Sequence, residues 1–399
     1  MPKSPSSLSP VKISSRGATR LKSGHVWIYK SDILSADGVA PGSLVSVTDH
    51  RGKPMGSALY SSSSQIALRM ISQESVNDLP SLLRQRIASA IAYRDTIVRD
   101  SNAYRLVFSE ADALPGLIVD RYNDILSLQI LTQAIDTTPV REAIISELTA
   151  RLNPASIIER VDPRVRELES LPARESGLVH GKKTSTTFTM NGVQFLYDAL
   201  EGQKTGAFLD QRENYAAAAQ YAKGQALDVC CYQGGFALHL ARVCDRVTGV
   251  DSSRPALEVA DQNAALNRDS IHNEMEWIEA NAFDLLKDYS AAGHQYDAIV
   301  VDPPAFAKTK RDLDRALRGY KELNLRALKM LRPGGILVTC SCSYHVSQTA
   351  FLEMLASAAL DAHRTVRLLE VRSQAKDHPV LLQIPETAYL KCVTANISD

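Results

Sequence analysis

The stretch Asp228-Val-Cys-Cys-Tyr-Gln-Gly-Gly-Phe236 decides how the C-terminal half of this chain is read. It continues a short apolar run at 226–230 and leads into residues at helical spacing, so it reads as the turn from a buried strand into a helix. Gly234 and Gly235 let the backbone turn sharply and come close to a ligand. The turn is not the G-x-G-x-x-G dinucleotide fingerprint, because Cys230 stands where its first glycine would be. Alone, a Gly-Gly turn is weak evidence for a nucleotide-like ligand.

The elements downstream strengthen it. Strands read at 247–251, 274–278, 296–302 and 335–341, with helices at 235–243, 254–267, 311–331 and 347–361 between and after them. Further strands near 366–371 and 388–394 close the chain. This alternation predicts a parallel sheet with helices on both faces and ligand loops at the strands' carboxyl ends. Asp251 ends the second strand, where a carboxylate can accept both hydroxyls of a ribose. Taken singly, it reads equally well as a helix N-cap. Asn281-Ala-Phe-Asp284 follows the third strand, where a polar side chain can reach an adenine amino group. Asp302-Pro303-Pro304 ends the fourth and aims a carboxylate and a stiffened backbone at the reacting centre. Four such features in this order predict a Rossmann-like α/β class I methyltransferase that uses S-adenosyl-L-methionine (AdoMet) as cofactor.

Upstream the pattern differs. From about 11 to 73, short strands at 25–29, 43–49, 56–61 and 66–72 separated by Gly- and Pro-containing turns predict a small β-barrel. A helix at 79–100, strands at 105–110, 117–122 and 125–131, a helix at 138–152 and a strand at 156–160 predict a central α+β module. Residues 162–190 read as polar and irregular, with short strands around 178–197. The chain is therefore expected to be multidomain, with boundaries at 10–75, 76–190 and 191–399. The opening MPKSPSSLSPVKISSRG is polar and Ser/Pro-rich and reads as a disordered tail on a cytoplasmic protein. No apolar run approaches the ~20 residues of a membrane helix.

The 45 basic and 45 acidic residues cancel, so any attraction to a polyanion must be local. Residues 1–31 carry Lys3, Lys12, Arg16, Arg20, Lys22 and Lys30 and no acid. Segment 308–332 carries nine basic residues against Asp312, Asp314 and Glu322. Such patches suit a polyanion held at chosen places, although taken alone each reads more readily as a solvated helix face. The six cysteines show no metal-ligand spacing, so no metal is expected.

Several motifs then point to a family. They are Gly24-His25-x-Trp27-Ile28-Tyr29, Asp112-x-Leu114-Pro115-Gly116-Leu117-x-Val119-Asp120-Arg121 and Gly202-Gln-Lys204-Thr205-Gly206-x-Phe208-Leu209-Asp210-Gln211-Arg212. The loop 228–236, Asp302-Pro-Pro-Ala-Phe306, Ser341-Cys342-Ser343 and Asp377-His378-Pro379-Val380 complete the set. Over nearly its full length the chain resembles the bacterial large-subunit (23S) rRNA cytosine-C5 methyltransferases of the RlmI type. The resemblance implies an N-terminal RNA-binding PUA domain, a central α+β domain, a C-terminal methyltransferase domain, a large-subunit rRNA substrate and a homodimer. It also implies cofactor-binding roles for Thr205, Phe208, Arg212, Asp228, Cys230, Tyr232, Gly234 and Phe236, joining Asp251, Asn281, Asp284 and Asp302.

Cytosine C5 is too weak a nucleophile to take a methyl group directly, so a thiolate must first add to C6. Strand alternation puts Cys340 and Cys342 on the same face and cannot choose between them. Cys342 lies nearer the carboxyl rim and matches the family's catalytic position, so it is the expected nucleophile. Asp302 is expected to hold the cytosine N3/N4 edge. Two other readings compete: an rRNA methyltransferase acting on a guanine nitrogen, and a non-catalytic RNA-binding assembly factor. Ala305, where an amino-methyltransferase would carry a stacking aromatic, weighs against the first. The full set Asp251, Asp284, Asp302 and Cys342 weighs against the second.

Overall fold

A computed structural model describes residues 8–199, 206–307 and 309–399. They pack as two compact units. The first gathers Met1–Thr186, Tyr197–Gly206 and Lys376–Thr387; the second gathers Thr187–Leu196, Ala207–Ala375 and Ala388–Asp399.

The first unit holds two sheets. One runs Trp27–Tyr29, Ile66–Ser72, Pro54–Tyr60, Leu44–Thr48, Pro10–Ile13, Ile33–Ser35 across its six strands. Regular structure begins earlier than the Ser/Pro-rich composition suggests. Val11 and Ile13 alternate into the core on a strand parallel to Leu44–Thr48, and Ser14 caps the helix Ser15–Lys22 by accepting the Gly17 N–H. Two local facts outweigh composition there: an apolar alternation and a good cap. Arg16 and Arg20 both bind the buried Asp32, so two of the N-terminal cations are engaged within the fold.

The second sheet runs Gly177–Gly181, Ser156–Glu159, Ile125–Ile130, Leu117–Tyr122, Ala103–Phe108, with helices Leu79–Ile97 and Thr138–Leu152 contributing to the same core. Arg94, fully buried, forks onto the Asp112 carboxylate and donates to the carbonyls of Arg105 and Asp377, each at 2.8 Å. The Asp377 carboxylate in turn accepts the Arg105 N–H at 2.8 Å. A late stretch of chain is thus stitched into the first unit. Within the stretch 162–190, a short helix Pro163–Leu168 forms behind an Asp162 cap.

The second unit is an α/β sandwich. Its elements are α1 (Arg212–Tyr221), β1 (Gln225–Val229), α2 (Gly235–Leu240), β2 (Arg246–Asp251), α3 (Arg254–Leu266), β3 (Glu274–Glu279) and α4 (Ala282–Ala291). Then follow β4 (Tyr296–Val301), α5 (Leu313–Met330), β5 (Leu331–Ser341), α6 (Gln348–Ala362), β6 (Thr365–Arg372) and β7 (Lys391–Ser398). The sheet order is β3-β2-β1-β4-β5-β7-β6, with β1 to β5 parallel and β7 antiparallel to both neighbours. Leu227, Val229, Ile299, Val301 and Leu337 are sealed between helices, as strands buried on both faces require. Residues 187–196 dock on α3, where Asn263 and Asn267 accept the N–H groups of Leu196 and Gln194. Those two amides satisfy backbone groups that burial would otherwise leave unpaired.

Candidate active site

The carboxyl ends of β1, β2, β4 and β5 bring most of the expected residues onto one rim. After β1, Cys230, Tyr232 and Gly234 all take positive φ, at 65°, 50° and 84°. Two of these carry side chains, so the turn stores strain that its surroundings must hold in place. A Cβ on Gly234 would stand 3.0 Å from the Trp277 ring, so glycine answers both a left-handed backbone and a close neighbour. Asp228 is wholly buried: its Oδ2 accepts the Ala237 N–H at 2.8 Å, while Oδ1 meets no donor from the protein. Burial, then the charges of Asp302 and Asp251, push this carboxyl well above its usual range.

Asp251 is not the cap of α3; Ser253 is, accepting the Ala256 N–H. The Asp251 carboxylate accepts the N–H groups of Tyr232 and Ser253, each at 2.9 Å, and so braces the strained turn after β1. Asn281 does cap its helix, with Oδ1 on the N–H groups of Phe283 and Asp284. Asp284 is exposed in the first turn of α4. Phe236 packs edge-on against Tyr215 inside the core, at 4.7 Å between ring centroids. Phe208 stands partly exposed with its ring 5.1 Å from that of Tyr232. Arg212 is buried at the head of α1, near Glu213. Thr205 lies outside the described residues.

Asp302 follows β4 and accepts from Gln211 Nε2 at 3.0 Å. Burial and the nearby Asp210 carboxylate raise its carboxyl to about 7, against smaller opposing hydrogen bonds from Gln211 and Cys340. Asp210 in turn accepts the Tyr389 hydroxyl at 2.7 Å.

The two cysteines that alternation could not separate differ in access. Cys340 is 0% exposed, faces Cys392 across the β5–β7 pair, and has its thiol pushed well up by burial. Cys342 lies just past β5 and is half-buried, open at the rim. Its neighbour Ser343 is a junction. The Ser343 hydroxyl accepts the Ala307 N–H at 3.1 Å and shares a 2.9 Å hydrogen bond with Tyr320, tying the Asp302 loop and α5 to the Cys342 turn. Its carbonyl accepts Lys391 Nζ at 2.6 Å.

Gln211, Asp210, Tyr389, Ser343, Tyr320 and Lys391 were not singled out by their types or spacing. Asp210, Gln211 and Ser343 sit inside family motifs, which was a usable signal; Tyr389, Tyr320 and Lys391 gain meaning only once the strands and α5 are packed together.

The sheet order, the strained turn after the first strand and the Asp at the end of the second define a class I AdoMet-dependent methyltransferase. The partnerless Asp228 Oδ1 and the braced turn fit such a cofactor, offering a buried acceptor and close backbone. A family model for S-adenosylmethionine-dependent methyltransferases matches residues 173–381, and one for a PUA-like domain matches 11–73. A relative from Shewanella denitrificans named ribosomal RNA large subunit methyltransferase I is 37% identical, covering 94% of this chain and 96% of its own. Its namesake from Yersinia pseudotuberculosis is 38% identical over 92% of this chain and 94% of its own. The fold is also similar to that of a methyltransferase crystallised with SAH, with a TM-score of 0.81, 18% identity, and 97% and 99% of the two chains covered. The chain belongs to the ribosomal RNA large subunit methyltransferase I family, and AdoMet is its methyl donor. Among the described residues, no helix is long and apolar enough to cross a membrane.

Proposed function

We propose that the protein methylates C5 of a cytosine in large-subunit rRNA, through a transient bond between Cys342 and cytosine C6. The observation that carries this reading is the pairing of an accessible Cys342 with Asp302, on two loops joined through Ser343, while Cys340 is sealed. A nitrogen methyltransferase has no use for a thiol at that rim.

The bound cofactor supplies an electrophilic methyl group; Asp228, Asp251 and the turn 228–236 are the groups that would hold it. The rest is work for the chain's own side chains. The Cys342 thiolate adds to C6, opening the C5=C6 double bond and placing electron density on C5 and the N3 edge. Asp302, with a carboxyl near neutrality, can hold a proton at pH 7 and share it with N3 as that density arrives. Gln211 keeps the carboxyl aimed. After methyl transfer, loss of the C5 proton expels the thiolate and restores the ring.

RNA binding is supported by the PUA-like domain and by α5 with the turn before it. Arg315, Lys321, Arg326 and Arg332 are engaged by Asp312, Asp361, Glu322 and Asp297, so exposed Lys310, Arg311, Arg318 and Lys329 are the cations offered to phosphate. The target base must be single-stranded or flipped to reach the rim, and the work is assigned to the cytoplasm. Incubation with labelled AdoMet and unmethylated rRNA, followed by nucleoside analysis, tests the reading. It predicts 5-methylcytidine from the parent and none from Cys342→Ala. Label on a guanine, or full activity in Cys342→Ala, would sink it.

A further inference from the structure

Lys391 opens β7 opposite Ser341 and is only 7% exposed, although a lysine in water would cost nothing. Burying an ammonium is unfavourable unless its protons and its charge both find partners. Two protons are accounted for: Nζ donates to the Ser343 carbonyl at 2.6 Å and to the Tyr389 carbonyl at 2.9 Å. Neutral donors could satisfy two carbonyls. A charge needs a further reason: Lys391 pairs across the sheet with Ser341 and holds the Ser343 carbonyl, the two residues that flank Cys342, and a negative Cys342 favours the ammonium. The interaction is reciprocal, so the ammonium equally favours the thiolate.

The surroundings leave few rivals. From α5, Tyr320 faces the same turn, hydrogen-bonded to Ser343 and kept a neutral phenol by burial first and by a charged Cys342 as well. From the β4 side comes Asp302, bonded to Gln211 rather than to the lysine. On β7 itself the neighbouring titratable group is Cys392, paired across to Cys340. Burial lowers the ammonium to about 8, which leaves it mostly charged at neutral pH.

We propose that Lys391 is a positioning residue for Cys342: its ammonium fixes the turn through the Ser343 and Tyr389 carbonyls and favours the thiolate form of Cys342. In the step this prepares, the thiol proton leaves to solvent, the sulfur lone pair forms the S–C6 bond, and the C5=C6 π pair moves toward C5. The catalytic use of that thiolate rests on the reading of Cys342 as nucleophile; its charge state does not.

The test is peptide-resolved alkylation of the full chain by iodoacetamide, followed by mass spectrometry across a pH series. The parent's Cys342 should react with a midpoint about one unit below the ~8.5 of a free thiol. Lys391→Met should slow Cys342 alkylation about tenfold at pH 6, a one-unit rise in midpoint, and Lys391→Arg should restore most of the loss. A parent midpoint at or above ~8.5 overturns the proposal. So does a Lys391→Met profile that superposes on the parent's. AdoMet affinity reports whether Lys391→Met is folded; where it is not, the parent and Lys391→Arg profiles decide. Failure of the nucleophile reading shows separately, as full rRNA methylation by Cys342→Ala.

Discussion

The two ends of the reaction path are built in different ways. The turn after β1 is a backbone structure: three left-handed residues, a glycine against Trp277, and an Asp251 carboxylate that holds N–H groups. The turn after β5 is a side-chain structure, in which Ser343, Tyr320, Lys391 and the Asp302 loop hold Cys342 in place. Strain fixed by backbone shape suits a ligand that must always bind in one pose. A side-chain network suits a group whose charge has to change during a turnover. Damage to the first should therefore appear in AdoMet affinity, and damage to the second in the chemical step.

The largest break is Cys342→Ala. Methyl transfer to rRNA should fall by a factor on the order of a thousand or more, with AdoMet affinity by calorimetry within about twofold of the parent. A joint loss of both would erase the distinction between the two turns. Next is Ser343→Ala, which strips a buried junction of its hydroxyl and leaves the Tyr320 phenol and Ala307 N–H short of a partner. About 2 kcal/mol of lost positioning predicts a fall in kcat of roughly thirtyfold, again with AdoMet binding retained. On the other side, Gly234→Ala forces a side chain into a φ of 84° beside Trp277. It should weaken AdoMet binding by about tenfold, for a strain of about 1–2 kcal/mol, and leave the alkylation profile of Cys342 unmoved.

The last contrast is a pH dependence, read in stability rather than in rate or affinity. The Asp302 carboxyl sits near 7 when folded, above an ordinary value of ~3.9, so the native state holds its proton more tightly than the unfolded chain does. That contribution is complete below about pH 4 and fades as pH rises to about 7. Asp302→Asn should gain stability relative to the parent across that window and run parallel to it above. Urea unfolding at stepped pH measures this; a constant difference from pH 4 to 8 would show that the carboxyl is not raised.

These contrasts explain what was readable in the chain. Strands such as 296–302 announce themselves as apolar runs, and the aspartates that end them mark the rim, because both signals are local. The alternative of Asp251 as the cap of α3 stayed open for a local reason too: Asp251 and Ser253 are both good caps, and only the geometry of the turn separates them. The choice of Cys342 over Cys340 came from its place toward the strand's carboxyl rim and from the family motif; the difference in depth, which no alternation encodes, came only with the fold. Lys391 was silent because a lysine in a strand normally points to water, and its burial follows from β7 pairing with β5 some fifty residues earlier. Helix α1 was missed as well; its alanine-rich face carries little periodic signal, yet it follows directly on Gln211.

One feature of the first unit bears on how the molecule is made. Arg94 and the Arg105 N–H complete their hydrogen bonds with Asp377, which lies at least 272 residues further along the chain. As the chain emerges from a ribosome, the N-terminal unit holds a buried guanidinium one acceptor short until most of the second unit has already been translated. Its final locking therefore waits for residue 377, and a chain truncated before that point carries the mark of incompleteness in its core.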